Sequence, residues 1–75
     1  MLNVLEDLIS LARQRKVRPI DGSYTNKLLK DKNLSKEKVL EEIRELIQSV
    51  EKNSNKVHEA ADVFYHLIIY LESNN

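Results

Sequence analysis

With one glycine and one proline in 75 residues, the chain has almost nothing with which to turn a β-hairpin. Tight hairpin turns need residues that accept positive φ, so this scarcity excludes a strand-and-turn architecture and predicts an all-α chain. Its length is half or less of a usual domain, which leaves room for one unit over residues 1–75. There is no cysteine, so no disulfide and no cysteine-ligated zinc can supplement a small core. Helix packing, completed by dimerisation, has to supply the stability. Twelve basic and twelve acidic residues cancel, which removes the broad attraction that nucleic-acid backbones and anionic membranes reward. The N-terminal segment runs into Glu6 and Asp7 rather than a long apolar stretch, so the expected location is the cytoplasm.

Apolar periodicity divides the chain. Leu2, Leu5, Leu8, Ile9 and Ala12 form the stripe of a first helix from Leu2 to Arg15. Pro19 and Asp21-Gly22 predict a loop at residues 17–23. Tyr24 to Lys30 fits either a short helix or an ordered loop, and Ser35 is the expected N-cap of the next helix. That helix, Lys36 to Lys52, carries Val39, Leu40, Ile43, Leu46, Ile47 and Val50 on one face. Asn53-Ser54-Asn55 breaks the pattern, and a last helix runs from Val57 to Leu71, with Ser73-Asn74-Asn75 expected to fray. The last two long helices should form an antiparallel hairpin.

Two acidic pairs stand out on that hairpin. Glu42 and Glu45 are three residues apart on one helix, and Glu59 and Asp62 repeat the spacing on the next. With the turn near Ser54, antiparallel packing brings both pairs to a similar height. Four converging carboxylates would repel one another, and a hard divalent cation such as Mg²⁺ or Mn²⁺ would relieve the conflict. For Glu41, Glu42 and Glu45 taken alone, a solvated face with ion pairs to Lys38 or Arg44 is the favoured reading. The final helix is different: eleven of the fifteen residues Val57 to Leu71 are apolar or tyrosine. Its main face is read as Val57, Ala60, Ala61, Phe64, Leu67, Ile68 and Leu71, flanked by Val63, Ile69 and Tyr70. A helix apolar nearly all round is buried, so Glu59 and Asp62 within it should be paired with Lys or Arg or bound to metal. His66 shares their stripe, as a substrate-facing donor, a general acid or base, or a core histidine bonded to a neighbour, the last being favoured. Tyr65 and Tyr70 read as packing residues, and His58 is given no role. The basic residues Arg13, Arg15, Lys16, Arg18, Lys27, Lys30 and Lys38 offer cations to phosphates or form a solvated surface.

Three blocks carry a resemblance. Gly22-Ser23-Tyr24-Thr25-Asn26-Lys27-Leu28-Leu29, Lys38-Val39-Leu40-Glu41-Glu42-Ile43-Arg44-Glu45 and Glu59-Ala60-Ala61-Asp62-Val63-Phe64-Tyr65-His66-Leu67 together resemble phosphoribosyl-ATP pyrophosphohydrolase of histidine biosynthesis, one of the all-α MazG-like nucleotide pyrophosphohydrolases. The resemblance covers residues 12–71. It implies Mg²⁺-dependent hydrolysis of phosphoribosyl-ATP to phosphoribosyl-AMP and pyrophosphate, by a homodimer whose pathway partner is phosphoribosyl-AMP cyclohydrolase. Carried over by position, Glu42, Glu45, Glu59 and Asp62 become the catalytic, metal-binding acids. Arg15, Ser23, Tyr24, Lys27, Lys38 and His66 become candidate substrate contacts. Leu40 stands where the family commonly has glycine, and the connection from Thr25 to Glu42 is about one residue shorter than usual. Two other functions fit the paired acids: a house-cleaning nucleoside triphosphate pyrophosphohydrolase, and a non-catalytic helical assembly module.

Overall fold

Pro19 and Gly22 interrupt the helical pattern once, and Asn53 to Asn55 interrupt it again; the structure bends at both places. The computed structural model describes residues 3–74, which form four helices: α1 Asn3–Val17, α2 Tyr24–Lys30, α3 Lys32–Lys52 and α4 Lys56–Ser73. The fold is all-α, with no strand among the described residues. Leu2, the expected first residue of α1, lies outside them. No described helix is long and apolar enough to cross a membrane.

Each boundary has a local cause. Gly22 sits at φ +78°, a conformation that a side chain would strain, and a Cβ there would meet nothing within 4 Å; φ alone explains the glycine. The Ser23 hydroxyl accepts the Asn26 N–H at 3.3 Å and caps α2. Asp31 then serves two helices. Its N–H closes α2 on the Leu28 carbonyl, and its carboxylate accepts the Leu34 N–H at 3.1 Å to cap α3. Helix α3 therefore starts one turn earlier than expected, and Ser35 lies inside it, fully buried, rather than capping it. Aspartate adds its charge at the positive helix end to the acceptor that serine also offers. Asn53 and Asn55 adopt the left-handed conformation at φ 55° and 53°. The Ser54 N–H reaches the Ser49 carbonyl and the Asn53 N–H that of Val50, the bonding pattern of a Schellman stop. At the far end Ser73 is still helical, its hydroxyl bonded to the Tyr70 carbonyl, so the expected fraying does not extend to it.

The hairpin of α3 and α4 is the most extensive packing, and α1 and α2 lie on α4, with α2 also touching α3. Ala12, Leu28 and Ile69 are fully buried between α1, α2 and α4, with Leu29, Leu34 and Tyr65 against them. This corrects the expectation for α4. Ile69, expected on a flank, is the core residue, whereas Phe64 and Leu71, assigned to the main face, are 50% and 53% exposed. The other helices of one chain cover only one side of α4. Glu72 ties α4 to α1: Arg13 Nε donates to it at 3.2 Å, and Lys16 Nζ donates to its carboxylate at 3.3 Å and its carbonyl at 3.0 Å. Burial alone would raise the Glu72 carboxyl, but these two cations hold it below its ordinary value. Arg13 and Lys16, both among the basic residues offered to phosphates, are thus spent on a helix end, where cations also suit the dipole.

Candidate active site

The acids sit on the two helices of the hairpin. Register about the Asn53 turn brings them together, because Glu45 and Glu59 stand at comparable distances from it and their helices run antiparallel. One ligand oxygen from each of Glu42, Glu45 and Glu59 lies within 4.8 Å of the others. Asp62, on the next turn of α4, is grouped with His58 and Glu59 rather than with Glu42 and Glu45, and its charge, with those of Glu45 and Glu59, acts on Glu42. The carboxyl of Glu42 is pushed up to about 7, first by burial, then by a hydrogen bond with Glu45 and the neighbouring negative charges. Glu41, its neighbour in sequence, points elsewhere and pairs with Lys38 at 3.1 Å.

Two buried carboxylate oxygens, Glu42 Oε2 and Glu59 Oε2, have no hydrogen-bond partner among the described residues, nor has the buried Ser35 hydroxyl elsewhere on α3. A buried carboxylate oxygen without a donor is costly, and no described lysine or arginine is paired with either residue. The donor set is entirely carboxylate oxygen, which suits a hard cation such as Mg²⁺ or Mn²⁺. The residues present fit such an ion. Beside Glu45 and Glu59 a cavity of about 230 Å³ opens between the helix ends and the turn, lined also by Gln48, Ser49, Lys52 and Asn55.

His58, given no role on its sequence position, belongs to this neighbourhood. Its Nε2 lies 3.5 Å from Asp62 Oδ2, and one atom from each of His58, Glu59 and Asp62 falls within 4.8 Å of the others. The helical i, i+4 spacing of His58 and Asp62 is the signal that sequence offers for it.

Three of the expected substrate contacts lie on α2 and at its start. Ser23, Tyr24 and Lys27 line a larger cavity, about 360 Å³, formed with Ile20, Asp21 and Lys30. Arg15 does not reach it as a free cation; its Nη1 donates to the Ser23 hydroxyl at 3.0 Å and fixes that residue. Asn26, to which the sequence pattern assigns nothing, is buried and organises the loop: its Oδ1 accepts the Ile20 N–H at 2.9 Å and its Nδ2 donates to the Arg15 carbonyl at 3.0 Å. Lys38 and Glu42 both act electrostatically on the Tyr24 hydroxyl, so Tyr24 links the loop cavity to the carboxylates. Burial raises the Tyr24 hydroxyl above its ordinary value, with Lys38 opposing. His66 is buried beneath it, with Nε2 2.9 Å from the Tyr24 hydroxyl and Nδ1 2.8 Å from the Asp62 carbonyl. The favoured reading of His66, a core histidine bonded to its neighbours, matches this placement.

The family model described as phosphoribosyl-ATP pyrophosphohydrolase matches residues 5–75. Phosphoribosyl-ATP pyrophosphatase of Listeria welshimeri is 43% identical over 75 residues, covering 96% of this chain and 72% of that protein. The protein of the same name from Methanocella arvoryzae is 36% identical over 80 residues, covering all of this chain and 84% of its own length. The histidine biosynthesis bifunctional protein HisIE of Pyrococcus furiosus is 35% identical over 77 residues, and the chain spans only 35% of its length. No solved structure matches.

Proposed function

Because the chain belongs to the phosphoribosyl-ATP pyrophosphohydrolase family, we propose that it hydrolyses phosphoribosyl-ATP between the α- and β-phosphates, giving phosphoribosyl-AMP and pyrophosphate for histidine biosynthesis in the cytoplasm. The observation that supports the reading is that ligand oxygens of Glu42, Glu45 and Glu59 lie within 4.8 Å of one another, that Glu59 is shared with a second group containing Asp62, and that Glu42 Oε2 and Glu59 Oε2 have no hydrogen-bond partner. These four acids would hold Mg²⁺. When bound, the ion supplies charge neutralisation to phosphate oxygens and acidifies water. The chain's own part is to place four carboxylates on a rigid hairpin, so that little reorganisation is needed when substrate arrives. Lys27 and Tyr24 line the loop cavity, Lys38 acts on the Tyr24 hydroxyl, and the three would orient the anionic substrate. Ser23 and Arg15 hold that cavity in shape through their mutual hydrogen bond.

The working unit is a homodimer. Leu40, Ile43, Ile47 and Val50 of α3 and Phe64, Leu67 and Leu71 of α4 form exposed apolar rows at helical spacing. A hairpin face of this kind is covered when a second copy packs on it about a two-fold axis, giving a four-helix arrangement. The bifunctional name of the Pyrococcus relative supports phosphoribosyl-AMP cyclohydrolase as the pathway partner.

The test is incubation of the purified chain with phosphoribosyl-ATP and Mg²⁺, with and without chelator, and identification of products by mass. Chelator-sensitive formation of phosphoribosyl-AMP and pyrophosphate is expected. Turnover of ordinary nucleoside triphosphates with phosphoribosyl-ATP left intact would overturn the substrate assignment.

A further inference from the structure

The buried imidazole of His66 is not explained by the carboxylate cluster, and its hydrogen bonds specify a proton arrangement. The Asp62 carbonyl can only accept, so the bond of 2.8 Å to His66 Nδ1 places a hydrogen on that nitrogen. In a neutral ring Nε2 then carries a lone pair, and the Tyr24 hydroxyl at 2.9 Å must donate to it. Tyr24 thereby has its single proton turned inward, toward α4. What remains on its oxygen is acceptor capacity, and this oxygen lies where Lys38 and Glu42 are its charged neighbours.

The pairing is held from several directions. Thr25 and Tyr65, the next residue of α2 and the residue before His66, hydrogen-bond through their hydroxyls. The Tyr65 ring meets His66 edge to face with centroids 5.0 Å apart, and the Tyr24 ring does so at 5.9 Å. His66 itself is 7% exposed, whereas Tyr24 is 45% exposed. One partner is fixed in the core and the other reaches the surface beside the site.

We propose that His66 is a positioning residue that commits the Tyr24 proton, so that the Tyr24 oxygen serves the reaction as a hydrogen-bond acceptor for an O–H donor, a substrate hydroxyl or the attacking water, and does not donate to phosphate. The inference rests on the pyrophosphohydrolase reading for the reaction and on the hydrogen bonds alone for the proton arrangement. It assigns His66 no contact with substrate.

The experiment has two arms on the full chain. In the first, ¹⁵N-labelled histidine side chains are read by long-range proton–nitrogen correlation at pH 8 without substrate. His66 is expected to show hydrogen on Nδ1 and a bare Nε2 whose resonance moves in Y24F. Hydrogen on Nε2 in the wild type overturns the proposal. In the second, Y24F and H66N should each lower kcat/KM about tenfold, and the double variant should fall no further, because both remove the same bond. A loss in KM identifies a substrate hydroxyl as the donor, and a loss in kcat identifies the water. H66Q, whose carbonyl can reach the Nε2 position and accept from Tyr24, should recover most of the loss. Losses that multiply to about a hundredfold, or H66Q no better than H66N, would show independent structural roles and overturn the proposal. A wild type with the expected ring but no turnover of phosphoribosyl-ATP would overturn the substrate assignment and Tyr24's role in that reaction, leaving the ring assignment standing.

Discussion

Replacing Glu42 by glutamine should make the metal-free protein more stable, although it removes a proposed metal ligand. The wild-type carboxyl is pushed up to about 7 from an ordinary 4.5, by burial and then by Glu45, Asp62 and Glu59. At about 1.4 kcal/mol per pH unit, that interval bounds the penalty of ionising Glu42 in the fold at about 3 kcal/mol. The folded state binds the proton more tightly than the unfolded chain. The contribution of Glu42 to wild-type stability is therefore full below pH 4.5, is lost as pH rises toward about 7, and changes no further beyond. Glutamine does not ionise, so the two proteins should differ by a constant amount below pH 4.5 and diverge above it. At pH 8 the divergence should reach about 2–3 kcal/mol, a melting-temperature gap of about 10–20 °C for a domain this small. The assay is thermal denaturation followed by circular dichroism from pH 4 to 8.5 in chelator, at one protomer concentration. Added Mg²⁺ should close most of this gap, since at a hundred times Kd it stabilises a binding protein by about 2.7 kcal/mol and the variant has lost a ligand. A difference that stays constant across the whole pH range would refute the convergence of the four acids. It would return Glu42 to a solvated helix face.

Asp62→Asn is nearly isosteric and should fold, yet lose most Mg²⁺-dependent turnover and most Mg²⁺-induced stabilisation in the same thermal assay. Glu41→Gln removes only a partly exposed pair with Lys38, so its stability should change by less than about 1 kcal/mol and its kcat by far less than in Glu42→Gln. Glu72→Gln should cost about 1–2 kcal/mol at pH 7 by urea denaturation, because Arg13 and Lys16 lose their shared acceptor charge. The Glu72 carboxyl lies below its ordinary value, so that cost should shrink as pH falls through the folded value, where the wild type loses the same charge. Ile47→Asp, on the exposed face of α3, should halve the mass seen by light scattering while leaving the helical content of each chain in place.

Interactions between residues close together along the chain are legible in its amino-acid order. The scarcity of glycine and proline, the period of the apolar residues and the asparagine-rich break set helices and turns, because each acts within one or two turns of backbone. The i, i+3 spacing of the acids likewise puts each pair on one face, and the antiparallel hairpin follows from the short turn. The choice of cap between Asp31 and Ser35 is not legible in this way, since two plausible caps lie one turn apart and only the packed helix distinguishes them. Other outcomes depend on contacts between distant residues. Which side of α4 is covered is decided by where α1 and α2 dock, and this buries Ile69 while leaving Phe64 and Leu71 exposed. Glu72 meets Arg13 across 59 positions, and Tyr24 meets His66 across 42. No periodicity encodes such a meeting. The sequence by itself determined the three long helices, the breaks at Pro19–Gly22 and Asn53–Asn55 and the acids, because local sterics and hydrophobic period act on neighbours, while it left residues 24–30 open between helix and loop. Only the tertiary structure decided which carboxylates lose water, which basic residues are already paired and which way the Tyr24 proton points, because desolvation and hydrogen-bond geometry depend on groups brought together from distant parts of the chain.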